Sequence, residues 1–258
     1  MSDRDTTGGW LWHIRAFVRR RQWRPTTELI ADWLDGVQPA QRELLLIGGS
    51  AGWMMSSRWL QRFERIVLID IDPFAPTLFR WNHGRALRQS STRLEFLRCD
   101  GLRDLESLLS TYPKASIFFD NLLGQHVYRV PDFDRAETDL NQLAQRLAGR
   151  DWGSVHDLFS GPANPKTLPV KPVMSFASTQ SEHGPSVDGM TGTPLHRRML
   201  DQVGGVDEWM DHVTSGVFPL GASTRLIAWP FVPTYVHWLQ AGGVSTASPN
   251  HSRPKLEC

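Results

Sequence analysis

Short apolar runs alternate with stretches of helical periodicity through residues 43–159. Each run is rich in branched side chains, too short for a helix and closed by glycine or an acid, which is typical of a buried parallel strand. Between the runs, apolar residues recur at helical spacing, as Met55, Trp59 and Phe63 do. Alternating strands and helices predict a parallel sheet with helices on both faces. The runs lie in residues 43–53, 65–73, 94–101, 115–121 and 153–159.

Helical spacing also precedes the first strand. Apolar residues between Leu11 and Leu34 fall into two periodic sets, which predict two helices within an N-terminal helical segment, residues 1–40. The basic cluster at 19–24 lies between these sets, and we expect it to be a solvated helix end rather than a nucleic-acid contact. Residues 41–242 are then expected to form a single α/β domain, because a chain of 258 residues can bury one sizeable core.

Beyond the fifth strand the pattern changes. Residues 161–194 are rich in Pro, Gly and Ser without periodicity, and they predict a long loop inserted in the domain, which we expect to cover substrate. A helical region is predicted at 195–210. Two apolar runs, 224–232 and 235–239, predict an antiparallel strand pair at the sheet edge. Residues 243–258 are polar and are expected to form a flexible tail.

Composition limits the classes of partner and site. The formal net charge is +1, so no excess of either sign points to a nucleic-acid or membrane partner. The two cysteines, Cys99 and Cys258, cannot form a disulfide framework or a four-cysteine zinc site, and no apolar run is long enough to span a bilayer. We therefore expect a cytoplasmic protein, with its oligomeric state open. No pair among the nine histidines has helical metal-ligand spacing with a third ligand nearby, so no metal site is predicted.

Glycines and acids stand where the predicted strands end. The first strand runs into Gly48-Gly49-Ser50-Ala51-Gly52, and such a turn lets backbone N–H groups approach a bound group. The second strand ends in Asp70-Ile71-Asp72, the third in Asp100-Gly101 and the fourth in Asp120-Asn121. Because the carboxyl ends of parallel strands share one edge of a sheet, we expect these groups to face one crevice.

These four strand ends, within residues 40–160, resemble the class I methyltransferases that use S-adenosylmethionine. The resemblance implies a Rossmann-like, seven-stranded, mostly parallel sheet with helices on both faces and an antiparallel C-terminal strand pair. Ser50 replaces the middle glycine of the family's Gly-x-Gly-x-Gly turn. By the resemblance, Asp70 would hold the ribose hydroxyls, Asp100 the adenine amino group, and Asp120 would lie below the methionine end. The cofactor-binding set so implied is Gly48, Gly49, Ser50, Gly52, Asp70, Ile71, Asp100, Gly101, Asp120 and Asn121.

The acceptor of the methyl group is expected to be a small molecule or a peptide. Residues 120–125 follow the fourth strand and lack the Asn-Pro-Pro-aromatic signature, which is similar to that of enzymes that methylate DNA and protein amides. His156 closes the fifth strand, and adjacent parallel strand ends lie only about 5 Å apart, so it is expected beside Asp120 and Asn121. A histidine titrates near neutral pH, so His156 is the candidate base, with Asp120 as the second candidate catalytic residue.

Three other functions stay open from the sequence. Residues 48–52 also fit the Gly-x-Ser-x-Gly nucleophile elbow of a hydrolase, with Ser50 as nucleophile. The strand ends also resemble aminopropyltransferases of the spermidine synthase kind, although Leu123 stands where that family has a second aspartate. The third function is that of a methyltransferase-like binding module without chemistry. Methyl transfer accounts best for the acidic strand ends.

Overall fold

A computed structural model of the chain describes residues 9–130, 132–163, 173–177 and 209–246. Among these residues, no helix combines the length and the apolarity needed to cross a membrane. The described helices are α1 (Gly9–Gly36), α2 (Ser57–Leu60), α3 (Ala75–Gln89), α4 (Leu105–Thr111), α5 (His126–Arg129), α6 (Phe133–Asn141) and α7 (Leu143–Arg146). The described strands are β1 (Glu43–Ile47), β2 (Arg65–Ile69), β3 (Arg93–Leu97), β4 (Ser116–Asp120), β5 (Trp152–Pro162), β6 (Val173–Ala177), β7 (Met210–Asp211), β8 (Ser223–Val232) and β9 (Tyr235–Val244).

The described strands form one nine-stranded sheet. Its order is β3-β2-β1-β4-β5-β9-β8-β6, and β7 pairs with β5 outside this path. Strands β1 to β5 pair in parallel, whereas β6 to β9 join through antiparallel pairs. The predicted α/β class, with a parallel sheet and an antiparallel C-terminal strand pair, is confirmed. The sheet has nine strands rather than the seven expected, because β6 and β7 extend it.

The parallel strands are buried on both faces, which explains their near-continuous apolar sequence. Leu44 and Leu46 of β1 pack in a buried cluster with residues of α1, α2 and α3. Their neighbours Leu45 and Ile47 pack in a second cluster with residues of α4, α6 and α7. Because successive side chains of a strand point to opposite faces, the sheet has a core on each side.

Helix α1 is one helix of 28 residues where the sequence predicted two. Pro25 lies inside it and removes one backbone donor, but packing against β8 holds the helix on both sides of this position. Trp23 Nε1 and Thr26 Oγ1 each donate a hydrogen bond to a backbone carbonyl of β8, at 3.0 and 3.1 Å. The sequence predicted that the basic cluster at 19–24 lies at a helix end. In the structure it lies within helix α1.

The Trp23→Ala variant is expected to lose about 3–5 kcal/mol of unfolding free energy. The buried Trp23 ring packs against Trp229 and Phe231 with centroid distances of 4.8 and 5.4 Å, so its removal leaves a cavity between α1 and the sheet. Urea unfolding followed by circular dichroism measures the loss. Arg24→Ala is the control, because Arg24 is exposed and pairs with Glu28 at the surface, and it should change stability by less than about 0.5 kcal/mol. Equal losses in both variants would contradict this packing role.

The segment 161–194, predicted as a loop, supplies part of the sheet. Strand β5 continues to Pro162, and β6 pairs with β8 in antiparallel register. The rest of the segment lies outside the described residues. The predicted helical region 195–210 also falls mostly outside them, and its last residue, Met210, belongs to β7 instead of a helix. Within the described residues, strands therefore occupy part of the predicted loop and the last residue of the predicted helical region.

The start of the predicted tail, 243–258, also belongs to the fold. Strand β9 continues to Val244 and pairs with β5 there. Beyond it, Ser245 Oγ and the Thr246 backbone N–H both donate to Asp151 Oδ1, at 3.1 and 2.9 Å. The remainder of the tail lies outside the described residues.

Candidate functional site

A cavity of about 840 Å³ opens at the carboxyl ends of the parallel strands, where open α/β sheets bind ligands. Residues that follow β1, β2, β3 and β4 line it, together with residues of α1, α5, β8 and β9. The predicted site residues that line it are Gly48, Gly49, Ser50, Asp70, Ile71, Asp100, Gly101, Asp120 and Asn121. Gly52 and His156 are not among its lining residues.

The turn after β1 adopts backbone conformations that favour glycine. Gly48 and Gly52 have φ angles of 74° and 68°, and Ser50 has a φ of 45°. A Cβ atom on Gly48 would lie 2.8 Å from Leu122 Cβ, so a side chain there would displace the exit of β4. The Ser50 backbone N–H donates to Asp70 Oδ2 at 2.8 Å. This hydrogen bond holds the turn against the end of β2 even though residue 50 is a serine and not a glycine.

Gly52 faces α3 instead of the cavity. A Cβ atom on Gly52 would collide with the ring of His83, whose Nε2–H donates to the Gly52 carbonyl at 2.9 Å. Burial lowers the pKa of His83, which favours its neutral ring. Gly52 therefore packs the turn onto α3, and the prediction that it lies at the ligand is corrected.

Asp70 and Asp72 are both held by hydrogen bonds at the end of β2. Asp70 accepts from the backbone N–H groups of Ser50 and Asp72, both at 2.8 Å. Burial raises the pKa of Asp70, while these hydrogen bonds oppose the rise. Asp72 accepts from His13 Nε2 and from the Phe74 backbone N–H, again at 2.8 Å. Asp70 therefore shapes the glycine turn, and Asp72 ties α1 to the end of β2.

Asp100 is paired with an arginine that the sequence analysis missed. Its Oδ2 lies 2.5 Å from Arg129 Nη2 of α5, and its Oδ1 accepts from the Leu102 backbone N–H at 3.2 Å. A Cβ atom on Gly101 would collide with Ile47 Cγ2, so glycine allows the exit of β3 to approach β1. Arg129 also lines the cavity, so this end of it carries charges of both signs.

Asp120 and Asn121 bring unpartnered oxygen atoms to the cavity. Within the described residues, the Oδ1 atoms of both are buried and make no hydrogen bond. The pKa of Asp120 is raised to about 8. Burial is the larger cause, and the nearby charge of Asp70 is the smaller one. Buried acceptors in proteins normally have a donor. This end of the cavity is therefore suited to a ligand group that is positively charged or donates hydrogen bonds.

His156 lies away from the cavity, on the other face of β5. It is fully buried, with Nδ1 at 2.9 Å from Ser154 Oγ and Nε2 at 3.3 Å from Gln240 Oε1. Its ring stacks on Phe218, and burial lowers its pKa to about 4. Because neighbouring strand residues face opposite sides, Asp157 lines the cavity in its place. The prediction of His156 as the base is therefore corrected.

The fold brings Asp157 together with two histidines that sequence reasoning did not select. His237 Nδ1–H donates to Asp157 Oδ1 at 2.9 Å. His212 Nδ1–H donates to the Gly124 carbonyl, and its Nε2 accepts from Ser160 Oγ, both at 2.8 Å. Asp157, His212 and His237 each have one potential ligand atom within 4.8 Å of the other two. No metal site was predicted, because the histidines have no metal-ligand spacing in the sequence. The fold brings these three side chains together from segments that are distant in the chain.

Aromatic rings enclose His237 at this end of the cavity. The ring centroids of Trp229, Phe231 and Tyr235 lie 5.2, 5.0 and 5.4 Å from that of His237. Burial opposes the ionisation of Asp157, but the adjacent histidines outweigh it and lower the pKa of that carboxyl. An ionised carboxylate and an imidazole are therefore held inside a largely aromatic wall, a combination that can orient a polar ligand group.

The fold and the cavity define a Rossmann-like α/β protein with its ligand crevice at the carboxyl edge of the sheet. No protein-family model matches the chain, and no curated protein matches it. Solved structures similar to it include several methyltransferases.

Three of the similar structures serve as examples. An O-methyltransferase family protein from Burkholderia thailandensis is 13% identical with a TM-score of 0.42, and the match covers 90% of this chain and 59% of that protein. Magnesium protoporphyrin IX methyltransferase from Synechocystis PCC 6803 with bound SAH is 16% identical with a TM-score of 0.43, over 92% of this chain and 89% of that one. The N-methyltransferase NodS from Bradyrhizobium japonicum WM9, in complex with S-adenosyl-l-homocysteine, is 14% identical with a TM-score of 0.37, over 87% and 85%.

Proposed function

We propose that the protein binds S-adenosylmethionine and transfers its methyl group to a small-molecule or peptide acceptor. The observation that carries this proposal is the meeting, in one cavity, of the glycine turn after β1 with the acidic ends of β2, β3 and β4. Folding gives no reason for the carboxylate of Asp120, whose Oδ1 is buried without a donor among the described residues, since burying an unpaired acid costs free energy. A ligand that uses this carboxylate supplies the reason. We also propose a cytoplasmic location, on the basis of cysteine usage.

The described residues fit this cofactor at each of its ends. Asp70 would accept hydrogen bonds from the ribose hydroxyls, and Asp100 would lie at the adenine. Asp120 and Asn121 offer buried oxygen atoms, without donors among the described residues, to the positively charged methionine end. The lack of a side chain at Gly48 lets the glycine turn lie against the exit of β4, beside Asp120.

The chain's own contribution to transfer is binding and orientation. When bound, S-adenosylmethionine supplies an electrophilic methyl group on a positively charged sulfur. Acidic residues along the cavity attract that charge, and Trp12 and Trp53 add apolar surface to its wall. Holding an acceptor in line with the methyl group removes most of the entropy cost of bringing two reactants together. A cation beside Asp120 favours the ionised carboxylate, so we expect cofactor binding to release a proton near neutral pH.

The alternative functions receive less support from the same residues. Within the described residues, the Ser50 hydroxyl makes no hydrogen bond to a histidine, which a hydrolase nucleophile needs for activation. Leu123, where an aminopropyltransferase would have its second carboxylate, is completely buried. A binding module without chemistry would share this cavity, and only turnover distinguishes it from an enzyme.

Isothermal titration calorimetry with S-adenosylmethionine tests the cofactor. We expect a single micromolar site, and binding about tenfold weaker or more in Gly48→Ala, because the new Cβ atom meets Leu122 and displaces the turn. Gly149→Ala is the matched control, since Gly149 has a comparable φ of 76° but open space around it. Its backbone strain is similar and its cofactor affinity should be unchanged. Absence of binding at millimolar cofactor would contradict the proposal.

Turnover separates the enzyme from the binding module. The assay measures S-adenosylhomocysteine released with a panel of hydroxyl- and amine-bearing acceptors. Release that depends on the acceptor supports methyl transfer. Tight cofactor binding without release for any acceptor would favour the binding module.

A further inference from the structure

We propose that Asp157, His212 and His237 bind a divalent transition-metal ion at the side of the cavity formed by β5 and β9. The three residues come from β5, from the segment after β7 and from β9, and all of them line the cavity. Each has a potential ligand atom within 4.8 Å of the other two. Metal–ligand bonds of about 2.0–2.2 Å place ligand atoms roughly 3–4 Å apart, so a movement of about 1 Å closes the set around an ion.

His212 already has the orientation of a metal ligand. Its Nδ1–H donates to the Gly124 carbonyl at 2.8 Å, which leaves the lone pair of the neutral ring on Nε2. Metal-binding histidines are held in this way, with the second ring nitrogen bonded to a carbonyl or carboxylate. Ser160 Oγ lies 2.8 Å from Nε2 and also 3.1 Å from the Tyr235 hydroxyl oxygen. Ser160 can therefore release His212 to an ion and keep a hydrogen-bond partner.

Asp157 and His237 supply the other two lone pairs. His237 Nδ1 lies 2.9 Å from Asp157 Oδ1, so an ion bound between them would take the place of this hydrogen bond, with the imidazole proton on Nε2 and the Nδ1 lone pair on the ion. Asp157 lines the cavity with only 4% of the residue exposed, so a bound cation would meet a carboxylate that is largely shielded from water.

The donor atoms indicate the class of ion. Two imidazole nitrogens and one carboxylate suit zinc, iron(II), manganese or cobalt, whereas magnesium and calcium prefer ligand sets made of oxygen. Three protein ligands leave coordination positions for water or for an oxygen or nitrogen atom of an acceptor. Metal binding stands on these residues alone, but a role of the ion in holding the acceptor rests on the proposed methyl transfer.

Cobalt(II) titration of the full chain, first freed of metal with EDTA, tests the site. We expect one ion per chain with visible d–d absorption bands, displaced by zinc. His212→Asn, His237→Asn and Asp157→Asn should each weaken the affinity about tenfold or more. His126→Asn is the matched control, because His126 also faces a carboxylate, that of Asp139 at 3.2 Å, but does not line the cavity. Its cobalt affinity should equal that of the native protein.

A second measurement decides the matter even where a variant does not fold. In native protein with ¹⁵N-labelled histidine, cobalt is expected to broaden the imidazole signals of His212 and His237 and to leave that of His126 sharp. No binding at millimolar cobalt, or equal binding by the three site variants, would overturn the metal site. Calorimetry with S-adenosylmethionine on the same metal-free protein tells this failure apart from a failure of the proposed cofactor.

Discussion

The Asp120→Asn variant is expected to unfold at a higher temperature than the native protein near pH 9, with a much smaller gain near pH 4. Burial raises the pKa of Asp120 to about 8, whereas an aspartate in the unfolded chain titrates near about 4. The protonated side chain therefore favours the fold fully below the unfolded pKa, and this stability is lost as the pH rises through about 8. The loss is on the order of a few kcal/mol, and asparagine has no charge to bury.

Thermal unfolding of both proteins across this pH range measures the effect. Asp151→Asn is the control, because Asp151 is also buried but its Oδ1 accepts hydrogen bonds from Ser245 and Thr246. We expect that substitution to destabilise the protein instead. An Asp120→Asn variant that is less stable than the native protein at every pH would show that Asp120 is not a strained acid.

The same substitution connects stability to the proposed function. Asparagine removes the negative charge that the methionine end of the cofactor would meet, so Asp120→Asn should bind S-adenosylmethionine more weakly while it unfolds at a higher temperature. Opposite changes in stability and affinity are typical of residues kept for a ligand at the expense of the fold. The two measurements together therefore test whether the buried carboxylate serves the cavity.

The parallel half of the molecule is predictable because its signals are local. Each of β1 to β4 has its own apolar run in the sequence. The candidate site residues follow these runs directly, as Gly48 follows β1 and Asp70 follows β2. Parallel pairing in register then brings these ends to one edge, as the pairs Ile47–Ile69 and Ile47–Phe119 show. No long-range side-chain contact has to be known for this part of the cavity.

The side of the cavity formed by β5 and β9 cannot be predicted from local signals in the sequence. Strand β5 is buried on both faces, so its sequence has no apolar–polar alternation to tell which of His156 and Asp157 faces the cavity. Its pairing with β9 also shifts register between Asp157 and Phe159, so strand alternation is interrupted there. An error of one residue in the predicted register places a side chain on the opposite face of the sheet.

The contacts of Asp157 and of α1 depend on residues far along the chain. His237 reaches Asp157 through antiparallel pairing of β5 with β9, and no spacing rule in the sequence encodes that register. Helix α1 continues through Pro25 because Trp23 and Thr26 bond to β8, more than two hundred residues later. Local propensity predicted a break there, and tertiary packing outweighed it.

Asp70→Ala is expected to cost about 1.5–3 kcal/mol of S-adenosylmethionine binding, or roughly ten- to a hundredfold in affinity. The variant loses the carboxylate proposed for the ribose hydroxyls. It also leaves the backbone N–H groups of Ser50 and Asp72 without their acceptor, which loosens the glycine turn on the other side of the cofactor. Both losses act on the same ligand, so we expect the upper part of that range. Calorimetry measures it, with circular dichroism to establish that the fold is intact.

Asp72→Ala provides the contrast, because Asp72 lies two residues away but has different partners. Its carboxylate accepts from His13 and from the Phe74 backbone N–H, so its removal frees α1 from the end of β2. We expect a lower unfolding temperature with a smaller loss of cofactor affinity than in Asp70→Ala. Native affinity in a folded Asp70→Ala variant would remove Asp70 from the site. A larger affinity loss in Asp72→Ala than in Asp70→Ala would contradict this order. It would mean that cofactor binding depends more on the part of the cavity formed by α1, which His13 joins to Asp72, than on the Asp70 carboxylate.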